Sequence, residues 1–248
     1  MQEEKLEDAA VESFDAAEQA FAFDGSGASQ SPIRLPSETF DLHVSKDLHV
    51  FALIFDRSQP LCIFFEAGER GVAPPGQTFS LKYGINAVII LSRDQDWFQY
   101  KDVEEAVAKV AALVSAFPRS VVCGGSQAGF ASLIFSRGLS VDAVVAYSPQ
   151  SGMGPSAPVG ERRWGDSWAR IRSSPGFLRN DMAAGLTTSG DVIVTYDPLD
   201  LDKLHIRDLE KIRRWQVSVS RRRCFSMCSL VTSTWRVSVV ISEPRAEP

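Results

Sequence analysis

The sequence is short of several features, and each shortage excludes a class of protein. Of its 248 residues, 26 are Lys or Arg and 31 are Asp or Glu, which gives a formal net charge of −5. An acidic chain does not attract nucleic acid through bulk positive charge, so we predict no nucleic-acid partner. No apolar run approaches the roughly 18 residues of a membrane helix, so we also predict no membrane partner.

Cysteine is scarce as well. Cys62 and Cys123 lie in apolar, strand-like runs that are typical of buried thiols, whereas Cys224 and Cys228 have no histidine near them. This pattern predicts neither a disulfide framework nor a zinc site. The first ten residues, MQEEKLEDAA, lack the basic and apolar regions of a secretory signal. We therefore predict a cytoplasmic protein that uses no metal or other cofactor.

Charge divides the sequence into three parts. Residues 1–25 hold eight acidic residues against Lys5, whereas residues 213–248 hold seven arginines against two glutamates. Residues 3–21 have helical periodicity and precede a Gly- and Ser-rich linker. The length favours one main domain with appendages. The predicted parts are an acidic N-terminal extension at 1–37, a central domain at 38–215 and a basic, atypical C-terminal segment at 216–248.

The central domain alternates short apolar runs with helical patterns. The predicted strands cover residues 48–56, 61–67, 86–92, 120–124, 141–147 and 191–196, and the predicted helices cover residues 102–117, 127–137 and 201–215. Strands that are apolar on both faces and alternate with helices indicate an α/β fold with a mainly parallel, doubly wound sheet. Residues 57–60 are too few for a crossover, so we expect the first two strands to be antiparallel neighbours.

The βαβ order is lost after Trp215. Residues 217–220 and 237–242 alternate as strands do, but beyond the helix predicted at 201–215 we find no core helix or helix N-cap that precedes them. Arginine and serine dominate the rest of this segment. The composition therefore predicts a C-terminal segment that departs from the doubly wound pattern.

The segment Gly124-Gly125-Ser126-Gln127-Ala128-Gly129 joins a predicted strand to a predicted helix. It matches the G-x-S-x-[GA] pattern of a nucleophile elbow, in which a sharp turn projects the serine hydroxyl. Gly124 and Ala128 are small because larger side chains would collide across the turn. A tight turn that only packs or binds phosphate is the alternative, although no phosphate-loop or dinucleotide fingerprint is present.

A second motif follows at the end of the next strand, Ala146-Tyr147-Ser148-Pro149-Gln150. With both motifs, residues 48–200 resemble the α/β-hydrolase superfamily. They are most similar to small bacterial serine-hydrolase-like proteins, some of which resemble proteins encoded among surface-polysaccharide genes. The resemblance implies an α/β-hydrolase-like fold, and its motifs do not distinguish substrates.

The resemblance also implies site residues. Ser126 corresponds to the nucleophile, and the backbone N–H of Gln127 corresponds to the first oxyanion donor. A backbone N–H near Gly68, in the loop after an early strand, corresponds to the second donor. Asp197, at the end of a late strand, corresponds to the catalytic acid, with Asp200 as the alternative. A turn or N-cap role for Asp197 and a simple turn at Gly68 are the competing interpretations.

The catalytic base is where the sequence departs from the family. The chain has three histidines, His43, His49 and His205, and only His205 follows Asp197. The family places its histidine on a separate loop after a further strand, whereas His205 falls in a predicted helix, where a surface position is more common. Three interpretations of this departure are open. His205 is a displaced base, the protein is catalytically impaired, or residues 216–248 are not native to the fold.

Together these features predict a serine hydrolase of the esterase type, with Ser126, Asp197 and His205 as catalytic residues. The oxyanion hole would be formed by Gln127 and Gly68. The predicted substrate is a small-molecule or saccharide acyl ester. The alternatives are a catalytically impaired, hydrolase-like binding protein and an acyltransferase linked to a surface polysaccharide.

Overall fold

The computed structural model describes residues 33–68, 72–94, 96–173, 179–187, 190–196, 201–212, 216–220 and 237–242. The predicted N-terminal helix at 3–21 lies outside these residues. The strands are β1 (Glu38–Val44), β2 (Leu48–Ile54), β3 (Leu61–Ala67), β4 (Asn86–Ser92), β5 (Ser120–Gly125), β6 (Ala143–Tyr147), β7 (Asp191–Tyr196), β8 (Gln216–Ser220) and β9 (Val237–Ser242). The helices are α1 (Pro75–Tyr83), α2 (Val103–Val114), α3 (Gln127–Ile134), α4 (Ser136–Leu139), α5 (Gly165–Ser173), α6 (Met182–Gly185) and α7 (Asp202–Ile212).

Within the described ranges, the nine strands belong to one sheet, in the order β1-β2-β4-β3-β5-β6-β7-β9-β8. The five strands from β4 to β7 in this order are parallel, and each of the other pairings is antiparallel. This order, with helices between the parallel strands, confirms the predicted α/β-hydrolase-like class with a doubly wound sheet. Residues at the carboxyl ends of β3, β5, β6 and β7 therefore share one edge, which is the edge where α/β proteins place their ligands.

The predicted pairing of the first two strands is wrong. β2 is hydrogen-bonded to β4, so β4 lies between β2 and β3. The physical reason is burial, because Val88, Ile89 and Ile90 of β4 are fully buried. A strand that is apolar on both faces is stable in the interior of the sheet, with a neighbour on each side.

Asn86, the first residue of β4, fastens the link between β2 and β3. Its side chain is 1% exposed. Its Oδ1 accepts from the N–H groups of Phe55 at 2.8 Å and Asp56 at 3.0 Å. Its Nδ2 lies 2.6, 3.1 and 3.2 Å from the carbonyl oxygens of Asp56, Gln59 and Pro60. One buried amide thus contacts five polar backbone groups of a tight link.

Replacing Asn86 with alanine should lower the free energy of unfolding by about 2 kcal/mol, because buried backbone groups lose their partners. Urea unfolding followed by circular dichroism measures this change. The control is Lys46→Ala, because the Lys46 side chain is 88% exposed and its loss should have little effect. A destabilisation by Asn86→Ala no larger than that of the control would contradict the bridging role.

The two faces of the central strands pack against different helices. Ile63 and Phe65 of β3 belong to the main core, where Phe65 contacts Phe98 edge-on at 5.0 Å between ring centroids. Phe64, on the other face, contacts Phe79 of α1. Leu61–Ala67, the predicted strand, is buried on both faces for most of its length. This packing sets the position of the parallel strands in the sheet.

The strands predicted at 217–220 and 237–242 are observed as β8 and β9, and they depart from the doubly wound pattern. β9 lies between β7 and β8 and is antiparallel to both. The helix predicted before them is observed as α7, whereas the domain boundaries at 37 and 215 stay predictions. Among the described residues, no helix combines the length and hydropathy needed to span a membrane.

Candidate active site

Ser126 stands at a sharp turn between β5 and α3. Its backbone has φ 54° and ψ −120°, a conformation that L-residues rarely adopt and that costs about 1–3 kcal/mol. The N–H of Ser126 donates to the carbonyl oxygen of Tyr147 at 2.8 Å, and the carbonyl of Ser126 accepts from Phe130 at 3.0 Å. The side chain is partly exposed. The strand–turn–helix context predicted for the motif is therefore present, and its strain is held by hydrogen bonds on both sides.

The small residues around Ser126 are required by close backbone approach. A Cβ atom on Gly124 would lie 2.3 Å from the carbonyl oxygen of Ala128, in the first turn of α3. A Cβ atom on Gly129 would lie 3.1 Å from Pro149 Cβ. In contrast, a Cβ atom on Gly125 would have no neighbour closer than 3.8 Å. Gly124 is therefore the glycine on which the shape of the turn depends.

The two predicted oxyanion donors differ in their surroundings. Gln127 is the first residue of α3, so its N–H is among the first-turn groups that lack an acceptor within the helix, where the helix dipole favours negative charge. The Gly68 N–H instead donates to the carbonyl of Ser92 at 3.1 Å. In this structure the Gly68 N–H is therefore used in a hydrogen bond to the neighbouring strand. The adjoining residues 69–71 lie outside the described residues.

Gln150 is the hydrogen-bond partner of the Ser126 side chain. Its Nε2 donates to Ser126 Oγ at 3.3 Å, and its Oε1 accepts from the indole Nε1 of Trp97 at 3.2 Å. Gln150 is 2% exposed and Trp97 is 3% exposed, so the hydrogen bond between them is buried, whereas the one to Ser126 is part-buried. The backbone N–H of Trp97 also contacts Gln127 Oε1 at 3.4 Å. Gln150, Trp97 and the side chains of Ser126 and Gln127 therefore form one connected cluster.

His205 lies on α7, as predicted, but the expected surface position is wrong because the residue is 0% exposed. Its Nδ1 accepts from the backbone N–H of Ser151 at 3.0 Å. An Nδ1 that accepts leaves the proton on Nε2, which donates to Glu161 Oε2 at 2.9 Å. Burial lowers the pKa of His205, and the hydrogen bond to Glu161 only partly offsets this. The ring is therefore neutral, with both nitrogens engaged.

Glu161 links His205 to further charges. Its carboxylate contacts Arg163 at 2.6 Å, and Arg163 also reaches Asp202 at 3.0 Å. Burial would raise the pKa of Glu161, but the hydrogen bonds from Arg163 and His205 outweigh it and lower the pKa to about 2. Ser151 Oγ donates to Asp208 Oδ2 at 3.0 Å on the other side of the ring. We call these six residues the His205 network: Ser151, Glu161, Arg163, Asp202, His205 and Asp208.

The structure brings Ser126 together with Gln127 and Gln150 but does not give it a histidine partner. His43 is paired with Asp102 at 2.6 Å, and His49 is paired with Asp41 at 2.7 Å. The hydrogen bonds of His205 go to its network. Since the chain has three histidines in all, none of them is hydrogen-bonded to Ser126 in this structure.

The predicted acid and its alternative, Asp197 and Asp200, lie outside the described residues. Within the described ranges, no cluster of three or more His, Cys, Asp or Glu residues is suited to a metal ion. A surface cleft of about 310 Å³ is lined by residues that include Glu104, Arg137 and Ala184, and Ser126 does not line it. The site at Ser126 is thus a partly exposed serine at a sheet edge.

The sequence analysis did not assign a role to Gln150. The residue was visible as the last position of the Ala146–Gln150 motif, directly after a strand at the ligand-binding edge. Its contact with Ser126 depends on how the loop after β6 folds, which periodicity does not encode. Trp97 carried a second signal in the sequence, since it follows the strand β4 at the same edge; in the structure its φ is 51°.

Comparison with known proteins finds structural similarity at low sequence identity. No protein-family model matches the sequence, and no curated protein does. Carboxyl esterase 2 from the mycorrhizal fungus Tuber melanosporum is 12% identical, with a TM-score of 0.46, over 76% of this chain and 75% of that chain. The thermostable carboxylesterase EstE1, cloned from a metagenomic library, is 14% identical, with a TM-score of 0.36, over 60% of this chain. This chain spans 55% of the length of EstE1.

A third similar structure is the glycosylation associate protein complex Gap123 from Streptococcus agalactiae. It is 14% identical, with a TM-score of 0.37, over 70% of this chain and 34% of that chain. Structural similarity at this level carries no argument about chemistry, because one fold hosts many activities. The function must therefore be argued from the residues around Ser126.

Proposed function

We propose that this chain is a serine hydrolase of the esterase type, in which Ser126 takes the acyl group of an ester and passes it to water. The observation that carries the proposal is the backbone of Ser126, with φ 54° and ψ −120°, between a buried strand and a helix N-terminus. Backbone strain of this kind persists where the surrounding structure enforces it, and it concentrates at functional sites. The proposed substrate is a small-molecule or saccharide acyl ester.

The chemistry follows from the groups at the turn. Ser126 Oγ attacks the ester carbonyl as the proposed base takes its proton, the bond to the alcohol breaks, and that proton passes to the departing alcohol. Water then attacks the acyl carbon, the bond to Ser126 Oγ breaks, the acid leaves, and one proton of the water returns to Ser126. The Gln127 N–H would donate to the negative charge that develops on the carbonyl oxygen. We retain Asp197 and His205 as the proposed acid and base. For His205 to serve as the base, it would have to release Ser151 and Glu161, so we expect slow turnover.

Labelling with a fluorophosphonate probe tests this proposal. We expect a covalent adduct on Ser126, formed ~10³-fold or more slowly than with a complete serine–histidine pair. Peptide mass spectrometry identifies the modified residue. Ser126→Ala should abolish labelling. Ser148→Ala is the matched control, because Ser148 also has a positive φ and lies at the same edge, and it should label as the native protein does. An unlabelled Ser126 in a protein with a native circular dichroism spectrum would refute the proposal.

A second function, ester binding without turnover, is favoured by one observation. Both nitrogens of His205 are hydrogen-bonded, to Ser151 and to Glu161. The residue that would serve as base therefore has no nitrogen free to accept the proton of Ser126. Such a protein would bind an acyl ester saturably at the turn and release it unchanged. Titration calorimetry with a slowly hydrolysed ester, together with product analysis, separates this function from hydrolysis.

A further inference from the structure

We propose that Gln150 is a positioning residue that holds the Ser126 hydroxyl as a hydrogen-bond acceptor. The inference rests on the proposed function, since a fixed hydroxyl matters for reactivity only if Ser126 reacts. The direct observation is the 3.3 Å contact between Gln150 Nε2 and Ser126 Oγ. Among the described residues, Gln150 is the one that forms a hydrogen bond with the Ser126 side chain, and Gln150 is buried.

The orientation of the Gln150 amide is set by Trp97. An indole nitrogen can only donate, so the group facing Trp97 Nε1 at 3.2 Å must be the amide oxygen. The NH₂ group then faces Ser126 Oγ. Trp97 itself is fixed, because its ring packs edge-on against Trp164 with 5.4 Å between centroids. Trp97 is also held by its backbone contact with Gln127. Because the indole of Trp97 can only donate, Gln150 can only donate to Ser126 Oγ and cannot accept from it.

The backbone around Gln150 is anchored on both sides. Before it, the carbonyl of Tyr147 accepts from Ser126 N–H at 2.8 Å, and Ser148 N–H donates to Thr195 at 2.6 Å. After it, Ser151 N–H donates to His205 Nδ1 at 3.0 Å. His205 therefore helps to fix the loop that carries Gln150, which gives the buried histidine an effect on the site without contact with Ser126.

This arrangement has a chemical consequence. Because Gln150 occupies an acceptor site of Ser126 Oγ, the hydroxyl proton must point to another partner, on the partly exposed side of the serine. During attack, Oγ forms its bond to the acyl carbon and its proton passes to the proposed base and then to the departing group, while Gln150 keeps both of its protons. A donor on Oγ stabilises the negative charge that Oγ gains as its proton departs. Gln150 thus orients Ser126 but cannot act as its base.

Two substitutions test the proposal through labelling rates. Gln150→Leu keeps a similar volume and removes the hydrogen bond, so we expect fluorophosphonate labelling of Ser126 to slow about tenfold. Gln150→Glu keeps the shape and places a proton acceptor beside Oγ, so we expect labelling to accelerate by about tenfold or more. The rate for Gln150→Glu should fall at acidic pH as the new carboxylate is protonated. A purely structural role of Gln150 would not change the pH profile in this way.

A second measurement does not depend on reactivity. In nitrogen-15 NMR spectra, the Gln150 side-chain amide should exchange its protons with water slowly, and Ser126→Ala should speed this exchange about fivefold or more. Equal exchange rates in the native protein and Ser126→Ala would overturn the proposal. Equal labelling rates of the native protein and Gln150→Leu would overturn it as well, and Ser126 would still stand as nucleophile. Absent labelling with Ser126-dependent exchange would refute the proposed function and support the hydrogen bond.

Discussion

Replacing Gly124 with alanine is expected to abolish labelling of Ser126 and to lower the free energy of unfolding by about 3 kcal/mol. The added Cβ would lie 2.3 Å from the carbonyl oxygen of Ala128 and 2.5 Å from its carbonyl carbon. These are backbone atoms in the first turn of α3, so the clash cannot be relieved by a side-chain rotation. The helix must move away from β5, and Ser126 then loses its φ of 54°.

The adjacent glycine provides a matched control. Gly125→Ala introduces the same methyl group one residue later, where the nearest atoms are 3.8 Å away. This variant should retain labelling and stability within about 0.5 kcal/mol of the native protein. Urea unfolding and the fluorophosphonate labelling rate should be measured on both variants. Equal behaviour of the two variants would show that the turn does not depend on close approach at Gly124.

The second large effect is expected at Glu161. Replacing it with leucine should lower the free energy of unfolding by about 3 kcal/mol, because Arg163 and His205 lose a buried partner. Only 3% of the Glu161 side chain is exposed, so water cannot substitute for the carboxylate. Urea unfolding measures the loss. The control is Glu105→Leu, since the Glu105 side chain is 62% exposed and pairs with Lys109 at the surface. A similar loss in both variants would contradict the special role of Glu161.

The same network makes stability depend on pH in two windows. The folded state lowers the pKa of His205 below its ordinary value of 6.5. Neutral His205 therefore adds to the free energy of unfolding above pH 6.5, and this stabilisation is lost as the pH falls below 6.5. The folded state lowers the pKa of Glu161 from 4.5 to about 2, so its contribution is lost between these values. Asp202 and Asp208 also face the network. Melting temperatures from pH 8 to 3 should show that Glu161→Gln lacks the more acidic step.

Much of the fold could be predicted because burial on both faces leaves a clear pattern. The strands at 61–67, 86–92 and 191–196 were predicted to the residue, and so was the start of the helix at Gln127, directly after Ser126. Their apolar runs are short, β-branched and bounded by turn residues. Strand pairing could not be predicted in the same way, because periodicity shows which faces of a strand are buried but not which strand is its neighbour in the sheet. The insertion of β4 between β2 and β3 therefore did not follow from the sequence.

The candidate site was predictable in part. The elbow followed from small residues at fixed spacing, whereas the contact between Gln150 and Ser126 joins two loops that only the folded sheet brings together. The burial of His205 did leave a trace. Asp202, His205, Ile206 and Leu209 have the i, i+3, i+4, i+7 spacing of one helix face, and all four are buried. Ile206 and Leu209 indicated that this face of α7 is buried. His205 is polar, so it was expected at the surface although it lies on the same face.

The distribution of backbone strain has a consequence for how the molecule opens. Of the five non-glycine residues with positive φ among the described residues, four follow β4, β5 or β6 at the same edge: Trp97, Phe98, Ser126 and Ser148. At about 1–3 kcal/mol each, they make this edge the high-energy end of β4, β5 and β6. The opposite edge is fastened by Asn86. Partial unfolding should therefore begin at the strained edge and run toward Asn86, so local fluctuations are largest where a substrate would enter.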